Sequence, residues 1–153
     1  MKKQKGFSLI ELLIVVAIIL IIAAIAIPNL IKSKMAANEA SAVGSVRTIN
    51  TSEVAYANAC PNLGFTVVLN NMGTAATCPG AQNLLDPQLS TGTKSGYSFA
   101  LGGGSGATPE TTYSVTATPL STSSGTRGFF SDQTGVIRFS ASGAATVASP
   151  ALQ

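Results

Sequence analysis

Hydrophobic and polar positions divide the chain into three regimes. From Leu12 to Ile27 every residue is apolar, and no charge falls between Glu11 and Lys32. The uncharged stretch from Leu12 to Ile31 matches the roughly 20 residues that an α-helix needs to cross a bilayer. From Lys32 to Asn58 the pattern turns amphipathic. Ala36, Ala37, Ala40, Ala42, Ala55 and Ala57 favour helix. Val43, Val46, Asn50, Val54 and Ala57 follow the three-four spacing of one face, with Met35, Ala42 and Ile49 beside it. On this reading Lys32, Lys34, Glu39, Arg47 and Glu53 fall mostly elsewhere, towards solvent. Asn58-Ala59-Cys60-Pro61 closes the segment, because a residue before proline is pushed out of the α region. The prediction is one helix from Phe7 to about Asn58. Its first half is apolar all round and its second half carries a single apolar stripe.

Beyond Cys60 the pattern becomes short β-like runs between turn residues. Tyr97–Leu101, Thr112–Thr118, Arg127–Ser131 and Val136–Ser140 read as strands. Asp132-Gln133-Thr134-Gly135 joins the last two as a hairpin loop, with glycine at the positive-φ position. The predicted fold class is α+β: a long N-terminal helix packed on a small antiparallel sheet of three or four strands. The sheet occupies residues 97–143, a long connection covers 59–96, and the small, polar tail from 144 to 153 is expected to fray. Gly102-Gly103-Gly104-Ser105-Gly106 lacks the Lys-Ser/Thr and helix start of a phosphate loop, and is read as a hairpin connection.

Composition narrows the chemistry. The chain of 153 residues has a formal charge of +3, but Lys2, Lys3 and Lys5 account for it. From Phe7 onward six Lys/Arg face six Asp/Glu, which leaves no electrostatic basis for nucleic-acid binding. The sequence contains no histidine, so Ser-His or Cys-His catalysis and imidazole metal sites have no candidate residues.

Two ordinary readings of the N-terminus, a secretory signal peptide and a single-pass anchor, leave Glu11 at the membrane edge unexplained. The run Lys5-Gly6-Phe7-Ser8-Leu9-Ile10-Glu11-Leu12-Leu13-Ile14-Val15-Val16 resembles the class III leader and stem of type IV pilins and related pseudopilins. The likeness extends from Met1 to about Asn58. It implies that residues 1–6 are a leader which a membrane prepilin peptidase/methyltransferase cuts between Gly6 and Phe7. Phe7 is then N-methylated. Residues 7–31 are the transmembrane and assembly half of the stem, and residues 32–58 its amphipathic half. The resemblance also gives Glu11 a role in methylation and assembly. Physical chemistry agrees, since Glu11 and the Phe7 ammonium of a neighbouring subunit would neutralise one another in hydrocarbon. Pro28 removes a backbone hydrogen bond inside the stem. By resemblance it is a kink where the helix melts locally in the filament.

The implied function is structural and non-enzymatic: a major pilin, held first in the inner membrane as a single-pass subunit. Assembly machinery then polymerises it into a helical homopolymer on the cell surface. A type II secretion pseudopilin and a minor pilin are the alternatives that share the leader and Glu11. An anchored enzyme or binding module is a third class. No cofactor and no metal are implied.

The head then faces an oxidising compartment, which makes Cys60–Cys78 a disulfide by default. Seventeen residues separate these cysteines, a loop size associated with about 3 kcal/mol of stabilisation. Many pilins carry their bridge nearer the C-terminus, so properties tied to that region are not carried over. Asp86, Glu110 and Asp132 read as solvated turn residues. Asp132 with Thr134 is a thin ligand set for calcium.

Overall fold

The computed structural model describes residues 6–74 and 78–152, and the expected leader lies outside this range except for Gly6. Two compact units divide the chain, Met1–Lys34 and Met35–Gln153. Helix α1, Leu9–Ala59, supplies the first unit and opens the second.

Within the second unit, α1 buries Glu39, Ala42, Ser45, Val46, Ile49, Ser52, Glu53 and Tyr56. Positions 39, 42, 46, 49, 53 and 56 keep the three-four spacing of one face. That face is rotated from the one read in the sequence. Val54 is 53% exposed, and Glu39 and Glu53, assigned to solvent by their charge, point inward. The reason is that each buried carboxylate meets backbone donors of the head, so charge alone is a poor guide to direction here. Cys60 ends the helix, its N–H donating to the Tyr56 carbonyl at 2.8 Å.

The fold class agrees with expectation, and the sheet is one strand larger. Strands β1 (Thr93–Lys94), β2 (Tyr97–Gly102), β3 (Ser114–Pro119), β4 (Gly128–Asp132) and β5 (Arg138–Ser140) form an antiparallel sheet in sequence order. Every pair is sequence-adjacent, with links that run from a tight turn between β1 and β2 to the longer loop 103–113 between β2 and β3. Phe99 pairs with Ala117, Ala117 with Phe129, and Phe129 with Phe139, which places one small residue between large rings along a row. Tyr97, Phe99, Val115, Ala117 and Phe129 join Val46 and Ile49 of α1 in one core. The two-residue β1 was too short to register as a periodic run.

The connection 59–96 is more structured than its composition indicated. A 3₁₀ turn at Leu69–Met72 contributes Leu69 and Met72 to the core, and helix α2 (Pro87–Ser90) contributes Leu89. Asp86 caps α2 by accepting from the Leu89 N–H at 2.9 Å, and Pro87 opens the helix where no donor is required. The tail also departs from expectation. The Phe139 N–H donates to the Pro150 carbonyl at 3.0 Å and the Leu152 N–H to the Ile137 carbonyl at 2.7 Å, while Ala145 is buried. An exposed edge at β5 offers backbone groups that the tail satisfies, which a reading of side-chain polarity could not reveal.

Candidate assembly segment and the anchoring of the head

In the first unit, α1 starts at Leu9 and the Ser8 N–H donates to Glu11 Oε2 at 2.9 Å. Ser8-Leu9-Ile10-Glu11 has the Ser-x-x-Glu spacing of a capping box, and the carboxylate meets free amides at the positive end of the helix. This local role for Glu11 was legible in the sequence but went unread beside the expected intersubunit one. Phe7 lies two residues before the helix and is 84% exposed.

The side chains from Leu9 to Ile31 are exposed all round, apart from half-buried Ala23. An 18-residue window here reaches a mean hydropathy of 3.3 with no part buried. Isoleucines and leucines on every face of a helix leave no side fit for water, so lipid or another apolar surface must cover them. The helix runs unbroken through Pro28. Beside it, Asn29 Nδ2 donates to the Ile25 carbonyl at 3.1 Å and Ser33 Oγ to the Asn29 carbonyl at 3.0 Å. Polar side chains in the apolar half thus find acceptors within their own helix.

In the second unit, polar residues on α1 fasten the head at successive levels. Asn38 Nδ2 donates to the Ser124 carbonyl at 2.9 Å, and Glu39 accepts from the Thr126 N–H at 3.0 Å and from Arg127 Nε at 2.7 Å. Burial pushes the Glu39 carboxyl up, but these donors outweigh it and hold the group below its ordinary range. Further along, Tyr113 donates to Asn50 Oδ1 at 3.2 Å, Asn50 Nδ2 donates to Ser131 Oγ at 2.8 Å, and Ser131 donates to the Val136 carbonyl at 3.1 Å. This relay ties the segments around β3 and β4 to the helix. Ser52 Oγ then reaches the Leu84 carbonyl at 2.9 Å, and Glu53 accepts from the Thr66 N–H at 3.0 Å.

Cys60 and Cys78 are joined as a disulfide. Just after Cys60, Phe65 and Leu63 exchange backbone hydrogen bonds with Glu110 at 3.0 and 2.7 Å. Gly64 sits between them at φ 75°, where a side chain would collide with the Glu110 backbone. The three turn acids have defined work. Asp86 caps α2 and pairs with Lys94 at 2.8 Å. Glu110 accepts from the Ser105 hydroxyl and N–H and the Gly106 N–H, bonds that pull its carboxyl down to about 2 and shape the glycine loop. Asp132 accepts from the Thr134 N–H at 2.9 Å and so builds the β4–β5 turn. Among the described residues no three His, Cys, Asp or Glu converge as a metal-binding group.

The family described as prokaryotic N-terminal methylation motif matches residues 1–27. The type IV wide pilus major component PilA4 of Thermus thermophilus is 59% identical over 39 residues, 26% of this chain and 30% of that protein. The type IV major pilin protein PilA of Myxococcus xanthus is 44% identical over 54 residues, 35% of this chain and 24% of that protein. Over its N-terminal third, the chain is similar to type IV pilins. The matches span about a quarter to a third of those pilins' lengths, and no solved structure matches. The likeness to known pilins therefore lies in the segment containing Phe7 and Glu11. The residues that fasten the head, Glu39, Asn50, Ser52 and Glu53, were missed as such, although they share the spacing of Ala42, Val46 and Ile49.

Proposed function

We propose that this chain is the structural subunit of a type IV pilus, a non-enzymatic protein that polymerises through the apolar half of α1. The precursor sits in the inner membrane with residues 7–31 in the lipid. A prepilin peptidase cuts between Gly6 and Phe7 and the new amine is methylated. Assembly machinery then moves the subunit into a fibre that ends up on the cell surface. The observation that carries this reading is a helix apolar on every face with one carboxylate, Glu11, four residues after Phe7. Neighbouring copies of the same helix cover that surface as well as lipid does.

Cleavage creates an ammonium at Phe7, and a lone charge in hydrocarbon is costly. On entry into the fibre, Glu11 accepts the Phe7 ammonium of a neighbouring subunit. The pair leaves neither charge uncompensated and sets axial register. Pro28, which contributes no N–H to the helix, is the point at which the stem loosens in the packed fibre. The named relatives are major pilus components, which favours the main fibre subunit for this chain.

The test is an intact-mass measurement on subunits from sheared surface fibres. A mass corresponding to Phe7–Gln153 plus one methyl and minus two hydrogens for the disulfide supports the proposal. Recovery of Met1 in assembled subunits, or the absence of this chain from any fibre, rejects it.

A further inference from the structure

Glu53 is fully enclosed in the head. Its Oε2 accepts from the Thr66 N–H at 3.0 Å, and its Oε1 is buried without a hydrogen-bond partner among the described residues. A buried carboxylate with a single donor is an unfavourable arrangement, because an ionised oxygen loses its hydration and gains nothing in return. A protonated carboxyl at the same place is far less costly. Its carbonyl oxygen keeps the Thr66 bond while its hydroxyl carries no net charge.

The bond has a structural consequence. Thr66 belongs to the connection 59–96, just ahead of the 3₁₀ turn that delivers Leu69 and Met72 to the core. Thr66 Oγ1 in turn accepts from Asn71 Nδ2 at 3.0 Å and from the Val68 N–H at 3.2 Å, so the loop is organised around the residue that Glu53 holds. We propose that Glu53 is a protonation-dependent latch, which fastens the segment Phe65–Met72 to α1 when it carries a proton and loosens it when it does not.

The surroundings contain little that would compete. Residues 65–72 have no ionisable side chain. Tyr56 lies one turn along α1. Tyr113, which enters β3, is electrostatically coupled to Glu53, and burial pushes its phenol up to about 12, so it stays neutral when Glu53 titrates. Asp132 acts on Tyr113. Burial likewise raises the Glu53 carboxyl from 4.5 to about 7, against the opposing Thr66 bond. The folded state therefore holds its proton more tightly than the unfolded chain. The resulting stabilisation is fully present below about 4.5, declines as pH rises towards about 7, and is absent above.

The experiment follows amide exchange in the full chain in detergent micelles, at pH 5 and pH 8.5, corrected for intrinsic exchange rates. The Thr66 and Asn71 amides are compared in the wild type and in Glu53→Gln, which keeps the shape but cannot ionise. Wild-type protection is expected to fall at least tenfold across this range. The ceiling over this range is roughly 70-fold, from the displacement of the carboxyl from 4.5 to about 7, because the opened carboxyl is already largely ionised at pH 5. Glu53→Gln should show no such fall. Equal pH dependence in the two proteins overturns the proposal. If the variant does not fold, the carboxyl ¹³C resonance of Glu53 in the wild type decides. A midpoint near 7 supports the latch, and a midpoint in the ordinary carboxylate range overturns it. Neither result depends on whether the chain forms a fibre.

Discussion

Glu39 of α1 and Arg127 at the entrance to β4 meet at 2.7 Å although 88 positions separate them in sequence. The same carboxylate also receives the Thr126 N–H and the Arg127 N–H, so one buried acid closes the β3–β4 turn onto the helix. Glu39 is only 7% exposed, whereas the Arg127 side chain is 42% exposed. The pair is thus lopsided: removing the acid leaves part-buried backbone donors without their acceptor, but removing the base leaves the acid with two amides.

Glu39→Ala should destabilise the head by about 2 kcal/mol, the scale of losing charge-assisted hydrogen bonds and leaving amides unpaired. Arg127→Ala should cost less, because the guanidinium is partly in solvent. Chemical denaturation of both variants in micelles checks the order. The pH dependence has the opposite sign to that of Glu53. The Glu39 carboxyl is lowered in the folded state, so its contribution is present above the ordinary 4.5 and is lost as pH falls through the lowered value.

Val46 and Val54 distinguish the observed buried face from the one read in the sequence. Val46 is wholly buried and Val54 is 53% exposed. Val46→Asp should unfold the head or expose it to protease, because it places an unpaired acid in the core. Val54→Asp should change stability by less than about 0.5 kcal/mol, as an exposed substitution does. Equal damage from both would return the face to the position that periodicity alone indicated.

The difference between those two faces shows where sequence reading stopped. The strands around Phe99, Val115 and Phe129 were legible because burial there follows residue type, and the apolar run from Leu12 to Ile27 and the helix end at Cys60-Pro61 because unbroken apolarity and proline mark them in the sequence itself. Glu39 and Glu53 were misdirected and Ser52 went unread because polar groups are buried only when a partner awaits them, and Thr126, Thr66 and Leu84 lie far away or in unpatterned chain. The ordered tail was missed for a similar reason, since Pro150 and Leu152 engage β5 through backbone groups that carry no sequence signal. Gly6, Phe7 and Glu11 were read from the N-terminal pattern.

Cys60→Ser should cost about 3 kcal/mol by the chain-entropy estimate for a loop of this size. It should also free the connection that holds Leu69 and Met72 in the core. Thermal unfolding of oxidised wild type against the variant gives the difference, and non-reducing peptide mapping of exported protein should recover Cys60 and Cys78 as one linked species.

The central claim is that Glu11 serves assembly and not the fold of the head. Glu11 lies in the first unit, Met1–Lys34, where Glu11→Leu removes a cap bond at Ser8 and a charge. The decisive measurement counts surface fibres by electron microscopy in cells expressing wild type or Glu11→Leu, with head integrity monitored by protease resistance. The account predicts a folded, membrane-inserted variant with few or no fibres, because the incoming Phe7 ammonium finds no partner. Normal numbers of fibres from Glu11→Leu would contradict it.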